Sequence, residues 1–306
     1  MNIRSIFFAT TASMLLTLSS CGPEQKKQND NSITISEDAR ANKSDDEIAA
    51  MTDEERAEYY NTDAPDEGLS QMVYDDLEMP APLTKSTEVI LMKSQFSVSY
   101  NTTTMCPNYV CWHLTEERTR GDMRRPDDFT PDVSLAPAMQ VTTHDYSGSG
   151  YDRGHMCPAA DNKNSQTAMY ESFSMTNVCP QRHDLNEGDW NELEQLCREW
   201  ARNYGDLYIC CGPIFDSKQP AKIGKRNRQL QISVPDRFFK VVLMMGQKPR
   251  AIGFIFNNDG TRKDLRSYAV SVDKVEQITG VDFYPQLSDE IENKVERMCN
   301  PADWNL

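Results

Sequence analysis

The stretch Tyr151–Glu194, YDRGHMCPAADNKNSQTAMYESFSMTNVCPQRHDLNEGDWNELE, crowds Asp, Arg, His, Asn, Gln and Glu into one short run. Splitting a phosphodiester near pH 7 requires three things. These are a base that can take a proton from water, a cation or metal for the charge that gathers on phosphorus, and relief for the departing oxygen. The run carries a group of each kind: the imidazole of His155, the guanidinium of Arg153, and the amides and carboxylate of Asn177, Gln181, Asn186 and Glu194. A lone His is more often a satisfied core or surface residue than a base, so the residues around it decide its reading.

Outward from this run, Ser147–Gly150 reads as a turn that delivers Tyr151 to His155. The segment 168–178 reads as a strand, or as a short helix followed by a strand. Trp190, Leu193, Cys197, Trp200 and Tyr204 recur at helical spacing, and Gly205 stands where a C-terminal cap belongs. Glu194 and Arg198 fall one turn apart on the flank of that stripe, facing one edge. If the helix already includes Asn186, Asn186 and Glu194 are separated by about 12 Å of axial rise, too far for both to ligate one ion directly. Apolar runs at 88–92, 96–100, 109–114, 207–211, 232–234, 238–245 and 251–256 predict strands, and 272–280 and 289–298 predict helices. Strands and helices without regular alternation indicate an α+β domain.

The chain has 306 residues and a formal net charge of −15, which argues against a nucleic-acid grip until its distribution is considered. Between Gly22 and Pro80 there are 17 acidic and 5 basic residues, whereas from Ala81 onward 26 basic residues face 30 acidic ones. The folded part is therefore nearly balanced, and the charge neither excludes nor supports a polyanionic substrate. Residues 22–82, acidic and poor in aromatics, read as a disordered tether with one fragile helix around 45–60, and the folded domain as 83–306. Arg4 and the apolar run 6–18 have the size of a signal-peptide core, and the following Leu18-Ser19-Ser20-Cys21-Gly22 resembles a bacterial lipobox. Residues 1–21 are thus expected to be a lipoprotein signal peptide with Cys21 lipidated, placing the protein in the cell envelope. An ordinary secretory signal is the alternative.

Eight further cysteines in an exported chain point to disulfides, with Cys106–Cys111 and Cys157–Cys179 as local candidates among many pairings. A zinc site at Cys106, Cys111 and His113 lacks a second close Cys pair. The polar loop 118–132 carries Arg118, Arg120, Arg124 and Arg125, a set that is usually a solvated surface.

Asp152-Arg153-Gly154-His155 is too short to identify anything alone, but its surroundings agree with it. Ser174–Gln181 fits S-x-x-N-x-x-P-Q, Leu185-Asn186 fits L-N, and Trp190–Glu194 fits W-x-x-L-E. CGPIF from Cys211, VPDRFFKVV from Val234 and VDFYPQL from Val281 follow. In these blocks, over 83–304, the chain resembles the DNA/RNA non-specific endonucleases, the group of mitochondrial endonuclease G. That resemblance implies a ββα-metal (His-Me finger) core, with a central, mostly antiparallel sheet flanked by helices.

It further implies a metal-dependent, sugar-non-specific endonuclease acting on DNA and RNA and leaving 5′-phosphate ends. His155 would be the general base and Asn186 the protein ligand of Mg²⁺, with Mn²⁺ able to substitute. Glu194 would hold a metal-bound water, Arg153 would meet the phosphate, and Asn177 would complete the catalytic set. Arg125, in preference to Arg124, would bind substrate together with Arg198 and Gln181, and Asp152 would be structural. Cys157 and Cys179 depart from the family's pattern inside its motif blocks. Two other functions stay open on the residues alone: a phosphodiesterase of the same fold acting on small nucleotides or other phosphate diesters, and a non-catalytic envelope-binding module.

Overall fold

The computed structural model describes residues 76–225 and 230–306. The signal, the lipobox cysteine and the helix expected near 45–60 lie outside the described residues. In chain order the elements are β1 (Val89–Met92), β2 (Ser97–Asn101), β3 (Cys106–Leu114), α1 (Thr143–Tyr146), β4 (Asp152–His155), α2 (Gln166–Ser172) and β5 (Val178–Gln181). They continue with α3 (His183–Asn186), α4 (Asp189–Asn203), β6 (Leu207–Ile214), β7 (Lys222–Ile223), β8 (Ile232–Ser233) and β9 (Arg237–Met244). The chain ends with β10 (Arg250–Asn257), β11 (Ala269–Val270), α5 (Val272–Thr279) and α6 (Asp289–Arg297).

Seven strands form one sheet in the order β1-β2-β3-β6-β9-β10-β11, with every neighbouring pair antiparallel. β9 shows why its middle is so apolar: it is buried on both faces. Phe238 and Val242 point into one core with Trp112, Trp190 and Trp200, while Phe239, Val241 and Leu243 point into a second with Tyr109, Val275 and Phe283. α4 closes the first core through Trp190, Leu193, Cys197 and Trp200, the stripe seen in the sequence. α5 and α6 cover the opposite face through Val272, Val275 and Val295. This is the expected α+β arrangement, a central antiparallel sheet with helices on its faces.

Beside the large sheet, β4 and β5 form a separate antiparallel pair that puts Asp152 opposite Gln181 and His155 opposite Val178. Together with the helices that follow β5, they make the ββα unit. Gly154 has a steric cause: a Cβ there would come within 2.0 Å of Gln181 Oε1 and 2.7 Å of Gln181 Cβ. The small residue lets the two strands close.

Three expectations change. The fold begins before Leu83: Leu77 is buried in the second core, Gln286 Nε2 donates to the Met79 carbonyl, and Ala81 N donates to the Asp282 carbonyl. The helix through Trp190 does not reach Asn186, because α3 ends there and α4 starts at Asp189 after Gly188, so the 12 Å separation along one axis does not apply. The disulfides are absent: Cys106, Cys111, Cys157, Cys179, Cys197, Cys210 and Cys211 are free and buried, and Cys299 is free and exposed. The buried thiols act as small apolar groups with weak donor bonds, Cys106 Sγ to the Ser233 carbonyl and Cys211 Sγ to the Met156 carbonyl, both at 3.4 Å. Burial pushes the Cys157 and Cys197 thiols up to about 12, which leaves them unreactive. Nor is there zinc: Cys106 and Cys111 lie in opposite cores, and His113 bonds to Asp206.

Arg198 is also reassigned. It is buried, and its Nη1 donates at 2.9 Å to Asp161, which also accepts from Trp112 Nε1 at 3.1 Å. That pair ties α4 to the segment following His155 and leaves the guanidinium no route to substrate. Removing one partner of a buried pair strands the other charge and costs about 3–5 kcal/mol. Arg198→Ala should lose stability of that order in urea unfolding. A variant of native stability with weakened substrate binding would restore the surface role.

Candidate active site

β4 extends its side chains alternately, and both sides are used. Asp152 turns toward α3, where it accepts from Asn186 Nδ2 at 3.0 Å and pairs with His183 Nδ1 at 2.9 Å. An ionised carboxylate only accepts, so the atom of Asn186 facing it must be the amide nitrogen. The Asn186 Oδ1 is left with no protein donor. Asn186, Asp152, Arg153, Tyr151, Tyr146, Ser147, Thr143 and Phe129 line one open cleft of about 440 Å³.

Arg153 shares that cleft, and His155 follows two residues further along β4. Arg153 Cζ sits 4.9 Å from the Phe129 ring centre, and its Nη1 is 3.6 Å from Asp128. The His155 imidazole is held between Phe129 at 4.9 Å and Phe173 at 5.0 Å, and its Nε2 is buried with no hydrogen-bond partner. Burial first, and then the positive charges of Arg125 and Arg153, together lower its pKa to about 3. A neutral imidazole at neutral pH is the form a general base requires.

The loop over His155 is anchored. Asp132 accepts hydroxyl bonds from Ser174 at 3.1 Å and Thr176 at 2.6 Å, and pairs with Lys93 at 2.7 Å. This joins the segment bearing Phe129 to the one bearing Phe173. Of the two neighbouring arginines, Arg125 lies 5.2 Å from the Phe173 ring centre, next to His155, whereas Arg124 turns to Asp127. Arg125 thus stands on the ring that also flanks His155. Arg118 is not part of the cleft: the side chain is buried and bonded to the Asp161, His113 and Gln95 carbonyls.

Asn177 and Gln181 are both enclosed. Asn177 is fully buried, and its amide is spent on the backbone. Oδ1 accepts from Cys157 N, while Nδ2 donates to the Cys157 and Ser172 carbonyls. It staples the segment after His155 to the end of α2, so it positions the base and touches no substrate. Gln181 is sealed over Gly154 in the strand pair, with no exposed surface to bind a substrate, and neither of its amide atoms has a partner.

Glu194 is half-buried on α4, one turn before Arg198. Burial raises its pKa to about 7, against the opposing pull of Lys240 and Arg198. Lys240 is itself buried, with Nζ 4.3 Å from the Trp190 ring centre. Trp190 Nε1 donates to the His155 carbonyl at 3.3 Å and to the Glu194 side chain, linking the carboxylate to the strand of the base. Periodicity alone reads Trp190 as packing and leaves Lys240, Phe129 and Phe173 unassigned. The one sequence signal for Lys240 is a lone charge inside the apolar run FFKVV.

Residues 76–290 match the family model described as DNA/RNA non-specific endonuclease. The chain is 35% identical over 229 residues to a nuclease of Nostoc sp., covering 71% of this chain and 80% of that protein. It is 34% identical over 209 residues to the mitochondrial endonuclease G of Homo sapiens, covering 64% and 69% of the two chains. To the human mitochondrial nuclease EXOG it is 33% identical over 208 residues, 62% of this chain, and it spans just over half of that relative, 55%. The solved EndoG/EndoGI complex, described as showing the mechanism of EndoG inhibition, contains a similar chain. It aligns with a TM-score of 0.62 and 26% identity, covering 68% of this chain and 90% of that one.

Two outcomes follow from the geometry. Asp152→Ala removes the acceptor that orients Asn186 and should lower metal affinity or turnover by about 10–100-fold while the fold persists. In a kcat/KM profile, His155 stays neutral down to about 3, and an acid limb near 7 is expected from Glu194, which gains its proton as pH falls through that value. Glu194→Gln should flatten that limb; a limb left in place assigns it to another group.

Proposed function

The chain belongs to the DNA/RNA non-specific endonuclease family, and from that membership we propose that its cleft hydrolyses the phosphodiester bonds of DNA and RNA alike, with His155 as general base and Asn186 as metal ligand. The observation that carries the assignment is the hydrogen bond from Asn186 to Asp152, on the strand that also carries Arg153 and His155. It makes the amide oxygen available to a cation in a cleft lined by Arg153.

The donor set fits a hard, largely hydrated ion. One neutral amide oxygen beside the Asp152 carboxylate suits Mg²⁺, which keeps most of its waters, and Mn²⁺ in its place. When bound, such an ion polarises the phosphate and steadies the leaving 3′ oxygen. The chain's own residues do the rest. His155 takes a proton from the attacking water at a ring nitrogen, and the two phenyl rings keep it neutral beforehand. Arg153 and Arg125 pair with the phosphate oxygens as negative charge builds there. Glu194, reached through Trp190, accepts from water on the metal side, and the product keeps its phosphate on the 5′ end.

The same reading includes the chain's location. Lipid modification at Cys21, with the acidic stretch as a spacer, would hold the enzyme at the cell envelope. The support is the order of basic, apolar and small residues before Cys21. Among the described residues no helix is long and apolar enough to cross a membrane. Cys21→Ser should move the protein from the membrane fraction to the soluble fraction.

The activity is tested by incubating supercoiled plasmid and structured RNA with the full protein, in Mg²⁺ and in chelator. His155→Ala should be slower on both substrates by about 10²–10⁴-fold. Equal digestion by the two proteins would remove the imidazole from the mechanism. A steep fall in affinity with salt separates a long polyanion from a small phosphate diester, which releases few counterions.

A further inference from the structure

On the face of the sheet away from the cleft, α5 and α6 bring Asp273, Glu276 and Glu296 together, with one carboxylate oxygen from each lying within 4.8 Å of the others. Among the described residues this is the one group of three or more His, Cys, Asp or Glu so arranged. Surface acids often cluster without consequence, but Glu296 is not at the surface. It is only 6% exposed, and its Oε1 is buried with no donor. The largest charge effects on it come from Glu276, Glu292, Asp273 and Asp282, all of them acids. Glu276 has a single backbone donor, Phe283 N at 2.7 Å. A buried carboxylate facing other carboxylates must be compensated, by a cation or by a proton.

We propose that Asp273, Glu276 and Glu296 bind a hard divalent cation, Ca²⁺ in preference to Mg²⁺, which clamps α5 to α6. The donor set is all oxygen and all anionic, which excludes the nitrogen and sulfur preference of Zn²⁺. Three carboxylates from two helices offer the irregular, many-oxygen shell that Ca²⁺ accepts and that the strict octahedron of Mg²⁺ does not. The site differs from Asn186 in charge, in the helices that build it and in the face it occupies, and it does not depend on the catalytic reading.

The test uses the full chain, with thermal melting and Tb³⁺ luminescence as readouts. Millimolar Ca²⁺ should raise the melting midpoint of the wild type by about 5–10 °C at saturation, and Mg²⁺ by much less. Tyr284, buried beside Glu276 and Glu296, should sensitise bound Tb³⁺, and Ca²⁺ should displace it. Glu296→Gln and Asp273→Asn should each abolish both signals and leave nuclease activity unchanged, while Asn186→Ala should keep them. Asp273 is exposed, so its amide variant serves as the readout if Glu296→Gln does not fold. A wild type indifferent to Ca²⁺, or carboxylate variants that respond like it, would overturn the site.

Discussion

The bond between Asn186 and Asp152 fixes more than its own two residues. An amide ligand presents either a donor or an acceptor to its surroundings, and nothing local decides which. A carboxylate that can only accept settles the choice, turning nitrogen inward and oxygen outward. Bonds to charged groups of this kind contribute about 1.5–3 kcal/mol, enough to keep one orientation dominant. The same carboxylate stands at the first position of β4, so the strand that carries His155 also orients the Asn186 amide. Short α3, broken from α4 at Gly188, exists to present that amide; a continuous helix would have carried it along the axis of α4.

A second constraint is electrostatic. Asp161, Glu194, Arg198 and Lys240 gather in a setting of Trp112, Trp190 and buried thiols. Asp161 and Arg198 satisfy each other directly. Burial raises the Glu194 carboxyl, and Lys240 and Arg198 pull it back only as far as about 7. Charges in low dielectric are costly, so this grouping beside the strand of His155 is one that packing alone does not require. The phenyl rings around His155 act in the same sense, since desolvation does for the imidazole what a second basic group would do less selectively.

Much of this was legible in the residues. The α4 stripe, the long strands of the sheet and the cluster around Asp152–His155 follow from periodicity and composition, and their neighbours in the chain carry the family resemblance. What local pattern does not reveal is who a polar residue meets. Arg198 looks like a surface arginine until Asp161, far away in sequence, arrives beside it. Asn177 and Gln181 read as working amides because their type is right, yet both are enclosed by strand pairing. Leu77 sits among acids and reads as tether by composition, although a single well-placed leucine is enough to start the fold earlier. The choice between Arg124 and Arg125 turned on Phe173, a residue with no periodic signal of its own. The cysteine count misled for a different reason: it measures how many thiols there are and says nothing of where their side chains point.

Those thiols carry a last implication. Seven sulfhydryls occupy interior positions as small fillers, each with its volume already matched by its neighbours. No cross-link joins them, so the described residues are held together by burial, hydrogen bonds and ion pairs alone.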